Sequence, residues 1–149
     1  MKIAVSACLL GVPCRYDGRS KGDDELRALL SGHEVVRVCP EVMGGLAIPH
    51  PANEIQTAAP ELRVVDSEGA DNTQAFLAGS RAATEKALGA GCACAILKAK
   101  SPSCGTGKIY DGSFTGTLVE GDGLAAGMMR EKGLKVMDEH EAKFFLQNL

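Results

Sequence analysis

Short apolar runs alternate with helical stretches along this chain, and three of the runs lead into a cysteine. This alternation is typical of a parallel β-sheet with crossover helices. The carboxyl ends of parallel strands share one edge of the sheet, and ligands bind along that edge. The sequence therefore predicts that three thiols distant in sequence meet at one place. The runs and their cysteines are residues 1–7 with Cys8, residues 35–38 with Cys39, and residues 93–97 with Cys104.

The order of strand and helix signals predicts a Rossmann-like three-layer α/β sandwich with a mostly parallel sheet. A chain of 149 residues is large enough to bury a core without disulfides or metals for support. No internal repeat or linker divides the sequence. We therefore expect a single domain over residues 1–149.

The longest predicted helix covers residues 72–88, and residues 71–74 resemble a capping box before it. Its inner apolar stripe is predicted to consist of Phe76, Ala83 and Ala87. The helix is predicted to end at Gly89 and Gly91. These signals predict one long helix with a buried face.

The second half of the chain is predicted to contain one long loop and two more helices. Residues 101–116 are rich in Gly, Ser and Lys, which predicts an irregular loop too long for a simple connection. Asp122 is predicted to cap a helix that continues to Arg130. Asp138 and Glu141 are predicted to cap the terminal helix, after a last strand.

Composition excludes several classes of function. The net charge of −3 and the low aromatic content of 4% argue against a nucleic-acid surface, which needs basic stripes and stacking rings. No apolar run reaches the roughly 20 residues that cross a bilayer, and the N-terminus does not resemble a signal peptide. We expect a cytoplasmic protein with a small-molecule substrate.

Six cysteines in a chain of this kind indicate metal binding or thiol chemistry rather than a disulfide framework. Cys92 and Cys94 flank the start of a strand, where we expect them to share one face and to be buried as small apolar residues. Cys8, Cys39 and Cys104 lie beyond their strands, next to loops. Their spacing matches no compact zinc pattern, but three thiolates from separate loops could bind a metal. From the spacing alone, these three cysteines could form either a metal site or a thiol site.

Other side chains near the predicted edge are candidates for the same pocket. Cys14 lies six residues after Cys8 and could reach the same edge. Its role there could be that of a ligand, a resolving thiol or a bystander. Residues 15–17 follow the same strand, and Glu41 would lie close to any bound metal, where a carboxylate can act as a base. His50 is undecided. The loop 101–108 does not match a phosphate-binding P-loop. An anion-binding nest of backbone N–H groups in this loop stays an open alternative.

Five motifs in this order resemble a bacterial family that was long catalogued as a domain of unknown function and whose characterised members are thiouracil desulfidases. The resemblance covers essentially the whole chain. The motifs are SACLLG at 6–11, CRYDG at 14–18, CPE at 39–41, SPSCG at 101–105 and VEGDG at 119–123.

The resemblance implies an oxygen-labile [4Fe-4S] cluster that is held by three cysteines, with one iron left free for the substrate. The implied ligands are Cys8, Cys39 and Cys104. The implied catalytic side chains are Glu41 and Ser101. The implied reaction is hydrolysis of a thiolated pyrimidine or similar small thioamide, with release of hydrogen sulfide and no net electron transfer.

We expect four further residues to bind the substrate, namely Arg15, Tyr16, Asp17 and Ser103. Two alternatives stay open. One is a thiol-based sulfur carrier or redox enzyme that uses Cys8 and Cys14 without a cluster. The other is a metal-binding module without catalysis. The sequence does not determine the oligomeric state or the physiological substrate.

Overall fold

The computed structural model describes residues 1–149 and contains eight strands, five α-helices and one 3₁₀ turn. None of the helices is long and apolar enough to cross a membrane. In chain order the elements are β1 (Lys2–Ser6), the 3₁₀ turn (Ala7–Leu10), α1 (Asp24–Leu29), β2 (Glu34–Val38), α2 (Pro40–Met43), β3 (Asn53–Ile55), β4 (Val64–Asp66), α3 (Thr73–Gly89), β5 (Cys94–Ile96), β6 (Lys108–Tyr110), β7 (Leu118–Glu120), α4 (Leu124–Glu131), β8 (Lys135–Met137) and α5 (Glu139–Gln147).

The central sheet has four strands in the order β2-β1-β5-β8, and every neighbouring pair is parallel. The last residue of β1, Ser6, is paired with the last residue of β2, Val38. These strands therefore end level with each other at one edge. The prediction of a parallel sheet with a common carboxyl edge is confirmed.

Helices cover both faces of this sheet, because side chains alternate between the two faces along each strand. On one face, Ile3 and Val5 pack in a buried cluster with residues of α1 and α5. On the other face, Ala4 and Ala95 pack with residues of α3 and α4. The three-layer α/β sandwich that the sequence predicts is confirmed.

The helix predictions are correct in position and partly wrong in their caps. In α3, the predicted stripe of Phe76, Ala83 and Ala87 is fully buried. The predicted capping box is absent, because the N-cap residue Asn72 makes no capping hydrogen bond. Instead, the carboxylate of Asp71, which precedes the N-cap, accepts the backbone N–H of Thr73, the first residue of the helix. At α5 the predicted capping box is present, with reciprocal side-chain-to-backbone hydrogen bonds at its first turn.

The cap predicted for α4 is also wrong. Gly123 precedes this helix, and no side chain caps it. The Asp122 carboxylate instead accepts hydrogen bonds from the Gly107 N–H at 2.9 Å and from Arg130 Nε at 3.2 Å. Asp122 therefore ties the loop before β6 to α4 rather than beginning the helix.

Residues 101–116 are not one irregular loop, because β6 within them pairs antiparallel with β7 as a hairpin. Strands of three residues carry too few positions for a period of two to be recognised. β3 and β4 form a second small antiparallel sheet. The same limit applies to β3, whereas the apolar run at residues 62–65 does predict a short strand and overlaps β4. The four-residue helix α2 was also not predicted.

Cys92 and Cys94 are both buried, as expected, but they do not share a face of the sheet. Cys94 lies in β5 and packs with the α1 and α5 side, whereas Cys92 packs with the α3 and α4 side. The difference arises because Cys92 belongs to the turn before β5, so the alternation of the strand does not extend to it.

The backbones of α2 and α3 are in direct contact at two glycines. A Cβ atom on Gly79 of α3 would overlap the carbonyl oxygen of Pro40 at the start of α2. A Cβ on Gly44, at the end of α2, would overlap the carbonyl oxygen of Ala75. This contact holds α2, and with it the carboxyl end of β2, against the long helix.

We predict that Gly79→Ala lowers the free energy of unfolding by about 1–3 kcal/mol, because the added methyl group forces α2 away from α3. Chemical denaturation measures the change. The matched control is Gly89→Ala at the end of the same helix, where a Cβ meets nothing within 4 Å. The control should be neutral or slightly stabilising. Equal stabilities for the two variants would contradict this account of the α2–α3 contact.

Candidate active site

A cavity of about 520 Å³ opens at the carboxyl edge of the central sheet. Four of the six cysteines line it, and they come from three separate parts of the chain. All four are free thiols, and all except Cys39 are buried. The structure thus brings the sequence-distant thiols to one cavity, as the positions after the strands predicted. These cysteines are Cys8, Cys14, Cys39 and Cys104.

Two of the thiols are placed directly by strand ends. Cys8 lies in the 3₁₀ turn after β1, which ends at Gly11 with a left-handed φ of +92°. Cys39 is the N-cap residue of α2, and Pro40 takes the first helical position, where a missing N–H costs no hydrogen bond. Short turns at neighbouring strand ends therefore present both cysteines at the same edge.

The Cys104 turn is held by side-chain and backbone hydrogen bonds. Ser101 Oγ accepts the Cys104 N–H at 2.7 Å, and the Ser101 carbonyl accepts the Gly105 N–H at 2.8 Å. A Cβ on Gly123, just before α4, would lie 2.6 Å from the carbonyl carbon of Ser103. The turn therefore packs tightly against the N-terminus of α4, and only glycine fits at that contact.

The Cys104 sulfur lies in a buried and partly polar environment. Ser6 Oγ donates to Cys104 Sγ at 3.3 Å and also accepts the Lys98 N–H at 3.0 Å. Ser103 Oγ lies 3.8 Å from the same sulfur. Hydrogen bonds to a ligand sulfur tune an iron–sulfur centre, so these serines suit a sulfur that binds such a group.

The buried thiols are disfavoured as free thiolates. Burial raises the pKa of Cys104 to about 11. The contact with the Cys39 thiol lowers the pKa of Cys14, but contact with the Cys8 thiol and burial outweigh it and raise the pKa to about 11. Contact with Cys14 and burial raise the pKa of Cys39. In the protein alone the protonated thiols are therefore favoured at neutral pH, and a bound cationic group would favour the thiolates.

No group of three His, Cys, Asp or Glu side chains is close enough to hold a single metal ion. In an iron–sulfur cluster each cysteine binds a different iron atom, so its ligands are spread more widely. The donor set here consists of soft thiols from three strand ends, with hydroxyl groups near one sulfur. These donors fit a cluster better than they fit one small ion.

A hydrogen-bonded network includes the carboxylate of Glu41, in the first turn of α2. Ser103 Oγ donates to Glu41 Oε2 at 3.0 Å, and His50 Nε2 lies 3.2 Å from Glu41 Oε1. Ser101 Oγ lies 3.3 Å from Ser103 Oγ. The two predicted catalytic side chains, Glu41 and Ser101, are therefore linked through Ser103, and all three line the cavity.

Among the other predicted substrate-binding residues, Arg15 and Tyr16 line the cavity, while Asp17 does not. The Arg15 guanidinium lies over the Tyr16 ring, 5.5 Å from its centroid. The Asp17 carboxylate accepts the Arg19 N–H at 2.9 Å and lies 3.8 Å from the Arg15 guanidinium. Asp17 thus supports the turn that carries Arg15, because the geometry of the Asp-Gly turn directs its carboxylate to Arg19.

Several residues that line the cavity were not singled out in the sequence. They are Lys21, Lys98, Lys100, Tyr110 and Phe114. Two of them belong to the hairpin region, where Phe114 has a left-handed φ of +57° and Glu54 Oε1 accepts its backbone N–H at 3.2 Å. Lys98 follows β5 directly, so the strand-end rule could have identified it. No short pattern marks the aromatic residues.

The loop after β5 is fixed by a buried carboxylate at the start of α5. Glu139 Oε1 accepts the Ala99 N–H at 2.8 Å, and Lys98 Nζ lies 3.0 Å from Glu139 Oε2. Burial raises the pKa of Glu139, but hydrogen bonds from backbone N–H groups and from Lys98 outweigh burial and hold the pKa below its ordinary value. This carboxylate connects α5 to the wall of the cavity.

Comparisons with known proteins agree on one family. The model of the 2-thiouracil desulfurase family matches residues 3–141. An uncharacterised protein of Bacillus subtilis (strain 168), YbbK, is 34% identical over 145 residues, covering 93% of this chain and 96% of that protein. A solved structure titled [4Fe-4S]-dependent thiouracil desulfidase TudS (DUF523Vcz) is 41% identical, with a TM-score of 0.86 over 99% of both chains. The family and fold that the sequence motifs indicate are confirmed.

We predict that Glu139→Gln lowers the free energy of unfolding at neutral pH by about 1–3 kcal/mol, the range for a lost charged hydrogen bond. Because the pKa of Glu139 is depressed on folding, its contribution is present above the ordinary value of 4.5 and is lost as the pH falls through the lower folded value. The difference between variant and wild type should therefore shrink in acid. Urea denaturation between neutral and acidic pH measures it, with the exposed Glu85→Gln as a control. A difference that does not change with pH would contradict the assignment.

Proposed function

The chain belongs to the 2-thiouracil desulfurase family, and we propose that it hydrolyses a thiolated pyrimidine or similar small thioamide and releases hydrogen sulfide. The observation that carries this proposal is the convergence of three sequence-distant cysteines and Glu41 on one cavity. In the proposed reaction the thiocarbonyl compound and water yield the carbonyl compound and hydrogen sulfide, with no net electron transfer. Free thiols of this kind suit the reducing cytoplasm, where we place the protein.

We propose that Cys8, Cys39 and Cys104 hold a [4Fe-4S] cluster. The related structure with a [4Fe-4S]-dependent title supports this, as do the position of the thiols at the strand ends and the raised pKa of Cys104, which a bound cationic group would lower. When bound, a cluster with three cysteine ligands supplies an iron with an open position, a Lewis acid that suits soft sulfur. The hydroxyl of Ser6 donates to one of these sulfurs and stabilises its charged form.

Glu41 is the residue that we propose as the general base. Its carboxylate lines the cavity next to Cys39, and the two hydrogen-bonding neighbours Ser103 and His50 fix both of its oxygens. A carboxylate held in this way can take a proton from water as the water attacks the thiocarbonyl carbon. The same group can return the proton to the departing sulfur.

We propose that the substrate is bound by the loop that contains Ser101 and Ser103 and by the turn that contains Arg15 and Tyr16. Ser101 and Ser103 present hydroxyl groups to the cavity, and these can hydrogen-bond the polar edge of a heterocycle. The Tyr16 ring, with the guanidinium of Arg15 over it, offers an aromatic surface at the same cavity. Asp17 takes part through Arg15 rather than by direct contact.

The alternative of a thiol-based sulfur carrier using Cys8 and Cys14 has one observation in its favour, the contact between their thiols. The raised pKa of Cys14, about 11, speaks against it, because a reactive cysteine needs a lowered pKa. We therefore propose a supporting role for Cys14 beside the ligands. The alternative of a metal-binding module without catalysis leaves the positioned Glu41 unexplained.

We predict that replacing Cys8, Cys39 or Cys104 by Ser abolishes cluster binding and sulfide release together, because each removes one ligand. Iron and sulfide content and the visible spectrum of anaerobically reconstituted protein measure the first effect. Cys92→Ala is the matched control, and it should keep its iron and lose about 1 kcal/mol of stability by packing alone. Loss of iron in the control with retention in Cys8→Ser would show that the ligand set is wrong.

We predict that Glu41→Gln keeps its cluster and still binds a thiolated pyrimidine, yet loses about 100-fold or more in turnover. Gln preserves the shape and hydrogen bonding of the side chain but cannot accept the proton. Iron content, ligand binding and sulfide release should be measured on the same preparation. Near-normal sulfide release with an intact cluster would end the general-base assignment.

A further inference from the structure

We propose that His50 is a positioning residue that orients the Glu41 carboxylate for catalysis. This inference rests on the proposed function, in which Glu41 acts as the base. His50 is not among the residues that line the cavity, whereas its partner Glu41 is. The proposed effect of His50 on the reaction is therefore exerted through Glu41.

The contact between the two side chains is well shielded from water. His50 Nε2 lies 3.2 Å from Glu41 Oε1, and the side chains are only 10% and 18% exposed. The other carboxylate oxygen accepts from Ser103 Oγ at 3.0 Å. With one partner on each oxygen, the plane of the carboxylate is determined. Loss of either partner would leave the carboxylate free to rotate about its last bond.

The hydrogen bonds of the imidazole ring determine where its protons lie. His50 Nδ1 is 2.8 Å from the carbonyl oxygen of Pro51, which can only accept, so Nδ1 must carry a proton. In a neutral ring with that tautomer, Nε2 has a lone pair and would face the lone pairs of Glu41. The contact therefore requires a proton between Nε2 and Oε1. The hydrogen bond with Glu41 raises the pKa of His50 and outweighs burial, in agreement with a proton on Nε2.

The imidazole ring is also held from the side away from Glu41. The Tyr16 carbonyl accepts the His50 backbone N–H at 2.7 Å. Asn53 Nδ2 donates to the Pro51 carbonyl at 3.2 Å, and Asn72 Nδ2 donates to Asn53 Oδ1 at 2.9 Å. Two asparagine side chains and the carbonyl groups of Tyr16 and Pro51 therefore hold the His50 segment beside Glu41.

The test compares His50→Leu and His50→Gln with wild type in steady-state turnover of 2-thiouracil by the reconstituted protein. We expect His50→Leu to keep its iron and its KM within about twofold and to lose about 10-fold to 100-fold in kcat, the range for residues that orient a site. His50→Gln should recover part of the loss, because its amide N–H can donate to Oε1. The control is His140→Gln on α5, which should behave as wild type.

A structural role alone would lower stability without separating kcat from KM. Thermal unfolding of each variant is therefore measured beside the kinetics. Combining His50→Leu with Glu41→Gln should cost no more in kcat than Glu41→Gln alone, since His50 acts only through that carboxylate. Additive losses in the double variant, or unchanged kcat in His50→Leu, would overturn the proposal.

A readout that needs no cluster separates this inference from the proposed function. Nitrogen-15 NMR of ring-labelled histidines in the cluster-free protein should show a proton on both nitrogens of His50 at neutral pH. Glu41→Gln should shift these resonances and leave those of His140 in place. If Glu41 has no effect on the His50 spectrum, the positioning role fails even in an active enzyme. If the pairing is present but thiouracil is not converted, the proposed function fails instead.

Discussion

The site depends on backbone-to-backbone contacts at glycines on both of its sides. Gly79 of α3 lets α2 approach closely enough to place Cys39 and Glu41 at the end of β2. Gly123 does the same for the Cys104 turn at the start of α4. A methyl group at either position would move a thiol and its neighbouring polar groups together. The close contacts at these glycines therefore determine where the sulfur and oxygen atoms of the site lie relative to the sheet.

Burial disfavours the thiolate form of these cysteines, and a bound cationic group would favour it. In the protein alone, Cys104 is shielded from water and has its pKa raised to about 11, so the protonated form is favoured. Serine hydroxyls near the sulfur stabilise charge only in part. Cluster binding would release protons and would be coupled to the order of the surrounding loops. The shielding that disfavours the free thiolate also protects a bound group and strengthens the electrostatic effect of nearby side chains on a reacting carbon.

Much of this arrangement could be predicted from sequence because strand ends in a parallel sheet converge. That rule placed the three predicted ligands at one edge, and the same rule could have identified Lys98. The hairpin over the cavity could not be predicted, since strands of three residues show no clear period, and Phe114 adopts a left-handed conformation unusual for its residue type. His50 was left undecided because its partner Glu41 is close only in the fold. The capping box predicted at residues 71–74 was wrong because Asn72 is the N-cap residue, and Asp71, one residue before it, accepts the N–H of Thr73.

Isotope labelling distinguishes non-redox hydrolysis at this cavity from a reaction that consumes electrons. The reconstituted protein is incubated anaerobically with 2-thiouracil in water enriched in oxygen-18, without a reductant. Mass spectrometry follows the uracil product while released sulfide is quantified. If the reaction is hydrolysis, each product molecule carries one labelled oxygen atom and each turnover releases one sulfide. Product without the label, or turnover that requires added reductant, would contradict it.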